Sequence, residues 1–338
     1  MERKRIGKQT LCLTNPPSVV GSAAVVGKKE GEGPLGSAFD LICEDAYCGE
    51  KSFEKAESAL QRLALAHALN KARLSPAQVR YLFAGDLLNQ CVASSFAMRD
   101  SGVPFLGLYG ACSTMAEGLG LAALMIDGGY ADCACAVASS HSCAAERQFR
   151  QPLEYGGQRT QTAQWTATAA GAAVLAAEGS GPYVTHVTFG RIRDGGIRDV
   201  SNMGAAMAQA AYDTLCRHFE DLGAAPSDYD LIVTGDLGRV GRSIVLDLFR
   251  RDGLDLSPVY DDCGVLLYDQ ERQDVHAGGS GCGCSAAVLC AWILNGVSAG
   301  RWKRVLFCGT GALMSPTSAG QGESIPGICH AVAISGGR

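Results

Sequence analysis

Cys112, in Gly110-Ala111-Cys112-Ser113, is the residue with the clearest chemical potential, because it sits where a tight turn opens an alanine- and leucine-rich stretch. At a helix start the free N–H groups and the macrodipole favour the thiolate, the form of cysteine that attacks acyl groups. Acyl transfer also needs a base for the protons and donors for the oxyanion. The chain has six histidines, and two stand in suggestive places. His141 follows the apolar run that begins at Cys133, where an α/β sheet opens its cleft. His276 precedes Ala277-Gly278-Gly279 on a strand-like stretch and reads as structural. Asp86 and Asp236 occupy matching strand ends, either as caps of the helices that follow or as a pair of site carboxylates. Asp261-Asp262 reads as an exposed turn. The pairs Cys133/Cys135 and Cys282/Cys284 have neither C-x-x-C spacing nor a histidine pair beside them, so they read as small buried hydrophobes and no metal site is expected.

The elements that position these residues occur twice. An amphipathic helix from Phe53 to Ala72 leads to Tyr81-Leu82-Phe83-Ala84 and Gly85-Asp86-Leu87; a second, from Met203 to Leu222, leads to Asp230-Leu231-Ile232-Val233-Thr234 and Gly235-Asp236-Leu237. The Cys112 turn, its helix to Asp127 and the strand Cys133 to Ala138 recur as Cys282-Gly283-Cys284-Ser285, a helix to Ala299 and the strand Val305 to Cys308, with Tyr130 matched by Trp302. A tandem duplication explains this order. Strands alternating with helices imply sheets covered on both faces. The expected fold is α/β: a duplicated five-layer α/β/α/β/α body with two mixed, mostly parallel sheets, residues 1–181 forming one half and 182–338 the other.

Composition narrows the function classes. The 338 residues carry a formal net charge of -5 and no stripe of Lys and Arg, which argues against a nucleic-acid partner. Glycine, at 43 residues, is about twice its usual share. It has no G-X-Y period, so close backbone approaches are the reading. Fifteen cysteines, mostly in apolar runs, fit a reduced compartment better than a disulfide framework. Polar residues interrupt any hydrophobic run after Arg3-Lys4-Arg5, and the uncharged stretch 160–177 is rich in Thr, Gln, Ala and Gly. Neither a signal peptide nor a transmembrane helix is expected.

The duplicated pattern with a cysteine at a strand-to-helix turn resembles the thiolase and ketoacyl synthase superfamily. Within it, Lys8-Gln9-Thr10, Gly33-Pro34-Leu35-Gly36-Ser37, Ala84 to Gln90, Gly110 to Thr114, Ala145 to Arg150, Ala277 to Cys282, Gly309 to Leu313 and Glu323-Ser324-Ile325-Pro326 resemble the stage V sporulation protein AD family. That resemblance implies a protein that binds dipicolinic acid, with calcium only as part of the ligand and no other cofactor. It implies work in dipicolinate uptake into the developing spore beside other stage V sporulation A membrane proteins, in peripheral contact with the spore inner membrane. By analogy with the superfamily, a homodimer is expected. The superfamily's catalytic histidines are not found in the matching motifs: Ser280 or a neighbour stands in one position, and Thr234-Gly235-Asp236 covers the other. Cys112 is then an ancestral nucleophile position, and an active condensing enzyme with His141 or His276 as base is the alternative. Dipicolinate needs cationic or N–H groups for two carboxylates, which guanidinium groups supply bidentately. The expected ligand-contacting set is Cys112, Ser113, His141, Arg147, Arg150, Tyr155, Asp236, Ser280 and Gly281.

Overall fold

A computed structural model describes residues 4–149 and 157–337. Ten of the strands among the described residues form two five-stranded paths. The first holds β1 (Ser18–Gly27), β2 (Tyr81–Gly85), β3 (Phe105–Gly107), β4 (Cys133–Ser140) and β5 (Ala169–Ala176). The second holds β6 (Tyr183–Phe189), β7 (Leu231–Thr234), β8 (Tyr260–Asp262), β9 (Arg304–Ala312) and β10 (Gly327–Ser335). The spatial orders are β1-β5-β4-β2-β3 and β6-β10-β9-β7-β8, the same connectivity twice, and the paths touch edge to edge at Tyr183 and Ser18. In each, the strand second from the shared edge runs antiparallel to both neighbours while the outer three are parallel. Each path is therefore mixed and mostly parallel, as expected, with four strands pointing one way and a single strand reversed.

The main helices are α1 (Phe53–Ala72), α2 (Thr114–Asp127), α3 (Ser142–Phe149), α4 (Met203–Leu222), α5 (Gly238–Arg251) and α6 (Cys282–Val288). Local chemistry sets the ends of α1 and α4 alike. Ser52 and Asn202 accept from backbone N–H groups three residues on, and Arg73 and Gly223 close the helices in the left-handed conformation. A one-turn helix opened by Pro76 or Pro226 then leads into β2 or β7. α1 covers the outer face of the first path and α4 that of the second, while α2 and α6 lie between them and touch each other. This gives the five expected layers.

Side-chain size explains how the central layer fits. On β4, Cys133, Cys135 and Val137 join the outer core under α1, while Ala134, Ala136 and Ala138 face the central helices. Glycines allow the closest approaches. A Cβ at Gly171 would lie 2.4 Å from the Ala286 carbonyl oxygen, and one at Gly311 would lie 2.3 Å from the Gly110 carbonyl oxygen. The duplicated aromatics follow the same logic, since Tyr130 covers Gly128 and Trp302 covers Gly296.

One cysteine expectation is corrected. Cys43 and Cys48 form a disulfide with Cα atoms 5.5 Å apart. Of the thirteen free cysteines, ten are buried, which is the packing role expected. No helix among the described residues is long and apolar enough to cross a membrane.

A buried histidine in the second half gives a stability prediction. His218 bonds to the hydroxyls of Thr188 at 2.7 Å and Tyr229 at 2.6 Å. Burial, helped by neighbouring His186, lowers its pKa from 6.5 to about 3. A depressed folded-state pKa means that its stabilising contribution is complete above about pH 6.5 and is lost as pH falls toward 3. Unfolding free energy should therefore fall more steeply on acidification through this window in the wild type than in His218→Phe. Parallel slopes in denaturant titrations at stepped pH would refute this.

Candidate functional site

Cys112 occupies the turn into α2, with Ala111 before it held at φ 49°. Ser113 fixes the turn by donating from Oγ to the Gly110 carbonyl at 2.7 Å, and Thr114 does the same to Ala111 at 2.7 Å. A non-glycine residue in the left-handed region is locally costly and is kept by its surroundings. Here Gly309 and Gly311 of β9 press against this turn from the second half.

The partner of Cys112 is Asp236, from the loop after β7. Its carboxylate and the Gly281 N–H both act on the ionisation of the buried thiol, the carboxylate against the thiolate and the N–H in its favour. Asp236 Oδ2 accepts from Ser280 Oγ at 3.1 Å and from Gly281 N at 2.9 Å, and Oδ1 accepts from Thr310 Oγ1 at 2.8 Å. Asp236 therefore does not cap the helix that follows it; its carboxylate ties its own loop to β9 and to the start of α6. Asp86, its counterpart, does cap locally, accepting from Leu88 N at 2.9 Å and Ser94 N at 2.8 Å. In the second half the capping duty falls to Asp262, which is buried, not in an exposed turn. It accepts from Leu237 N, Gly238 N, Gly264 N and Thr234 Oγ1. Burial, with Asp236 adding repulsion, raises its pKa to about 7.

Electrostatics at the site oppose the thiolate expected at a helix start. Burial, reinforced by the Asp236 charge, pushes the Cys112 pKa well above its usual value. Burial likewise raises that of Asp236 against its four hydrogen bonds. Iodoacetamide should alkylate Cys112 at pH 8 at least about tenfold more slowly than an unhindered thiol, with Asp236→Asn restoring part of the rate. Peptide mapping that found Cys112 among the fastest-labelled cysteines would contradict this.

A pocket of about 90 Å³ opens over Cys112. Leu87, Phe149, Met203 and Met314 give it apolar walls, and Tyr109, Thr166, Ser201 and Ser280 bring hydroxyls. Glu146 also lines it and accepts from Thr166 Oγ1 at 3.2 Å. Gln164 closes the base, donating to the Asp236 and Gly279 carbonyls at 2.6 and 2.7 Å.

The expected site residues divide accordingly. Cys112 and Ser280 line the pocket. Asp236 and Gly281 lie behind them, while Ser113 is buried in the turn. His141 is not in the wall: it is buried, its Nε2 lies 2.7 Å from the Ala46 carbonyl, and its Nδ1 accepts from Ala144 N. Burial lowers its pKa, so it is a neutral cap of α3. Arg147 is half-exposed and pairs with Glu54, away from the pocket. Arg150 and Tyr155 fall outside the described residues. His276 keeps its structural role, between Asp274 and the Thr160 carbonyl. Sequence reasoning missed Gln164, Tyr109, Glu146 and Thr310. Only Thr310 had a readable signal, the Gly309-Thr310-Gly311 motif at the end of a strand. Among the described residues, no group of three or more His, Cys, Asp or Glu could hold a metal ion.

Comparison with known proteins places the fold and the family. Among solved structures, the chain is similar to 3-oxoacyl-[acyl-carrier-protein] synthase III from Aquifex aeolicus VF5, with a TM-score of 0.56 and 13% identity over 94% of this chain and 99% of that one. It is also similar to a variant of OleA from Xanthomonas campestris, with a TM-score of 0.60 and 16% identity over 94% and 98%. At such identities the likeness shows a shared thiolase-like fold. In sequence, the chain is 45% identical to stage V sporulation protein AD of Bacillus subtilis (strain 168) over 329 residues, 97% of each chain. With the stage V sporulation protein AD profile matching residues 7–335, the chain belongs to that family of sporulation proteins.

Proposed function

We propose that this protein binds dipicolinate in the Cys112 pocket and serves its uptake into the developing spore, as a binding protein on a condensing-enzyme fold. The observation that carries the reading is the arrangement at Cys112: a buried thiol beside the buried Asp236 carboxylate, with a pocket of about 90 Å³ above it. A condensing enzyme needs a base that draws the proton off sulfur. A buried carboxylate at that place instead keeps the thiol protonated and makes it a weak hydrogen-bond donor. What remains is a slot with apolar walls and a polar floor, the usual character of a small-ligand site. In the proposed pose the flat ring packs against the apolar side chains of Phe149 and Met314, with hydroxyls from Ser201 and Ser280 toward the ligand's polar edge.

The wider setting belongs to the same proposal. Other stage V sporulation A membrane proteins would receive or deliver the ligand, the protein would sit peripherally on the spore inner membrane, and calcium would enter only with the ligand. A homodimer is the proposed assembly. Isothermal titration of the purified protein with dipicolinate, with and without calcium, should give saturable binding of one ligand per chain. The 3,5-dicarboxylate isomer should give none. Absence of heat with dipicolinate under both conditions would overturn the reading.

A further inference from the structure

The disulfide Cys43–Cys48 closes a six-residue loop, Cys43-Glu44-Asp45-Ala46-Tyr47-Cys48, which follows the short strand Leu41–Cys43. Its two cysteines are partly exposed, whereas ten of the thirteen free cysteines are buried. The loop makes two contacts that lead inward. The Ala46 carbonyl holds His141 through Nε2 at 2.7 Å. The Tyr47 ring stacks on Phe53 at 4.7 Å, and Phe53 stacks on His141 at 5.3 Å.

His141 in turn sets the first turn of α3. Its Nδ1 accepts from Ala144 N at 3.4 Å and its carbonyl accepts from Ala145 N at 2.9 Å. One helix turn on, Arg147 pairs with Glu54 at the start of α1, next to Phe53. The far face of α3 supplies Ala145, Glu146 and Phe149 to the pocket wall. The loop, the N-terminus of α1 and α3 therefore form one packed unit, with the disulfide at its outer end and the pocket at its inner end.

We propose that Cys43 and Cys48 form a thiol–disulfide exchange site whose oxidation state fixes α3 and so regulates the Cys112 pocket. The oxidant is a low-molecular-weight disulfide. The thiolate of one cysteine attacks a sulfur of this disulfide and expels one thiolate. The second cysteine attacks the resulting mixed disulfide and expels the other. Two protein thiols become one disulfide, and the reagent disulfide becomes two thiols carrying the two protons and two electrons. Oxidised, the closed loop holds Ala46 and Tyr47 against His141 and Phe53. Reduced, the loop is free to leave, and His141 loses its acceptor.

The test uses the full-length protein equilibrated with glutathione disulfide or with dithiothreitol. Intact mass and peptide mapping should show a two-hydrogen loss confined to the 43/48 pair in the oxidised sample. Hydrogen–deuterium exchange over residues 142–149 should be at least about fivefold slower in that sample, and the Cys43→Ser/Cys48→Ser variant should match the reduced protein in either buffer. Failure of the pair to oxidise, or equal exchange in both states, overturns the proposal. The affinity arm rests on the dipicolinate reading: binding should be about fivefold or more tighter when oxidised. If α3 exchange responds but no dipicolinate binds in either state, the ligand reading falls and the exchange site stands. If dipicolinate binds equally in both states, the regulatory claim falls and the ligand reading stands.

Discussion

Gly311→Ala should lower the unfolding free energy by about 3 kcal/mol and disturb the Cys112 turn, a larger effect than one methyl group ordinarily has. The added Cβ would stand 2.3 Å from the Gly110 carbonyl oxygen and 3.1 Å from Ser113 N. Both are backbone atoms of a turn already held with Ala111 at φ 49°, so neither can rotate aside. Strain is therefore delivered to the segment that presents Cys112. Gly320→Ala is the control, because a Cβ there meets nothing within 4 Å. Denaturant melts of the two variants should differ by most of the expected loss. Near-wild-type stability for Gly311→Ala would mean that the two halves meet less closely than described.

Asp236→Ala is expected to have the second large effect, about 3 kcal/mol or more. The carboxylate accepts from Ser280 Oγ, Gly281 N and Thr310 Oγ1, so its removal strands donors from two separate segments. Asp236→Asn keeps the shape and one acceptor, and should lose less. Denaturant melts measure the loss, and a drop below about 1 kcal/mol for Asp236→Ala would show that these donors find other partners.

How far the sequence could be read follows from where each interaction is encoded. The two long helices were legible because each is followed by the same strand and turn, and their ends are set by local signals, the caps Ser52 and Asn202. The five layers followed from the duplication. Asp236 was harder: Gly-Asp-Leu occurs at both strand ends, yet Asp86 caps its own loop and Asp236 reaches Gly281 and Thr310, far along the chain. Local sequence is the same in both cases, and only the partner differs. His141 and Arg147 were placed by proximity along the chain to the expected cleft. α3 turns their side chains toward the 46–54 region and leaves Ala145, Glu146 and Phe149 on the pocket side. The pKa of Cys112 failed for a related reason. The helix-start argument weighs N–H groups near in sequence, whereas burial and a carboxylate from the other half dominate.

The central proposal is that the pocket over Cys112 binds dipicolinate without covalent chemistry at the thiol. A crystal structure of the protein grown with dipicolinate tests that most directly. The account predicts the planar ligand between Phe149 and Met314, its polar edge toward Cys112 and Ser280, and an unmodified Cys112 thiol. Dipicolinate bound elsewhere with this pocket empty, or an acyl group covalently attached to Cys112, would contradict it.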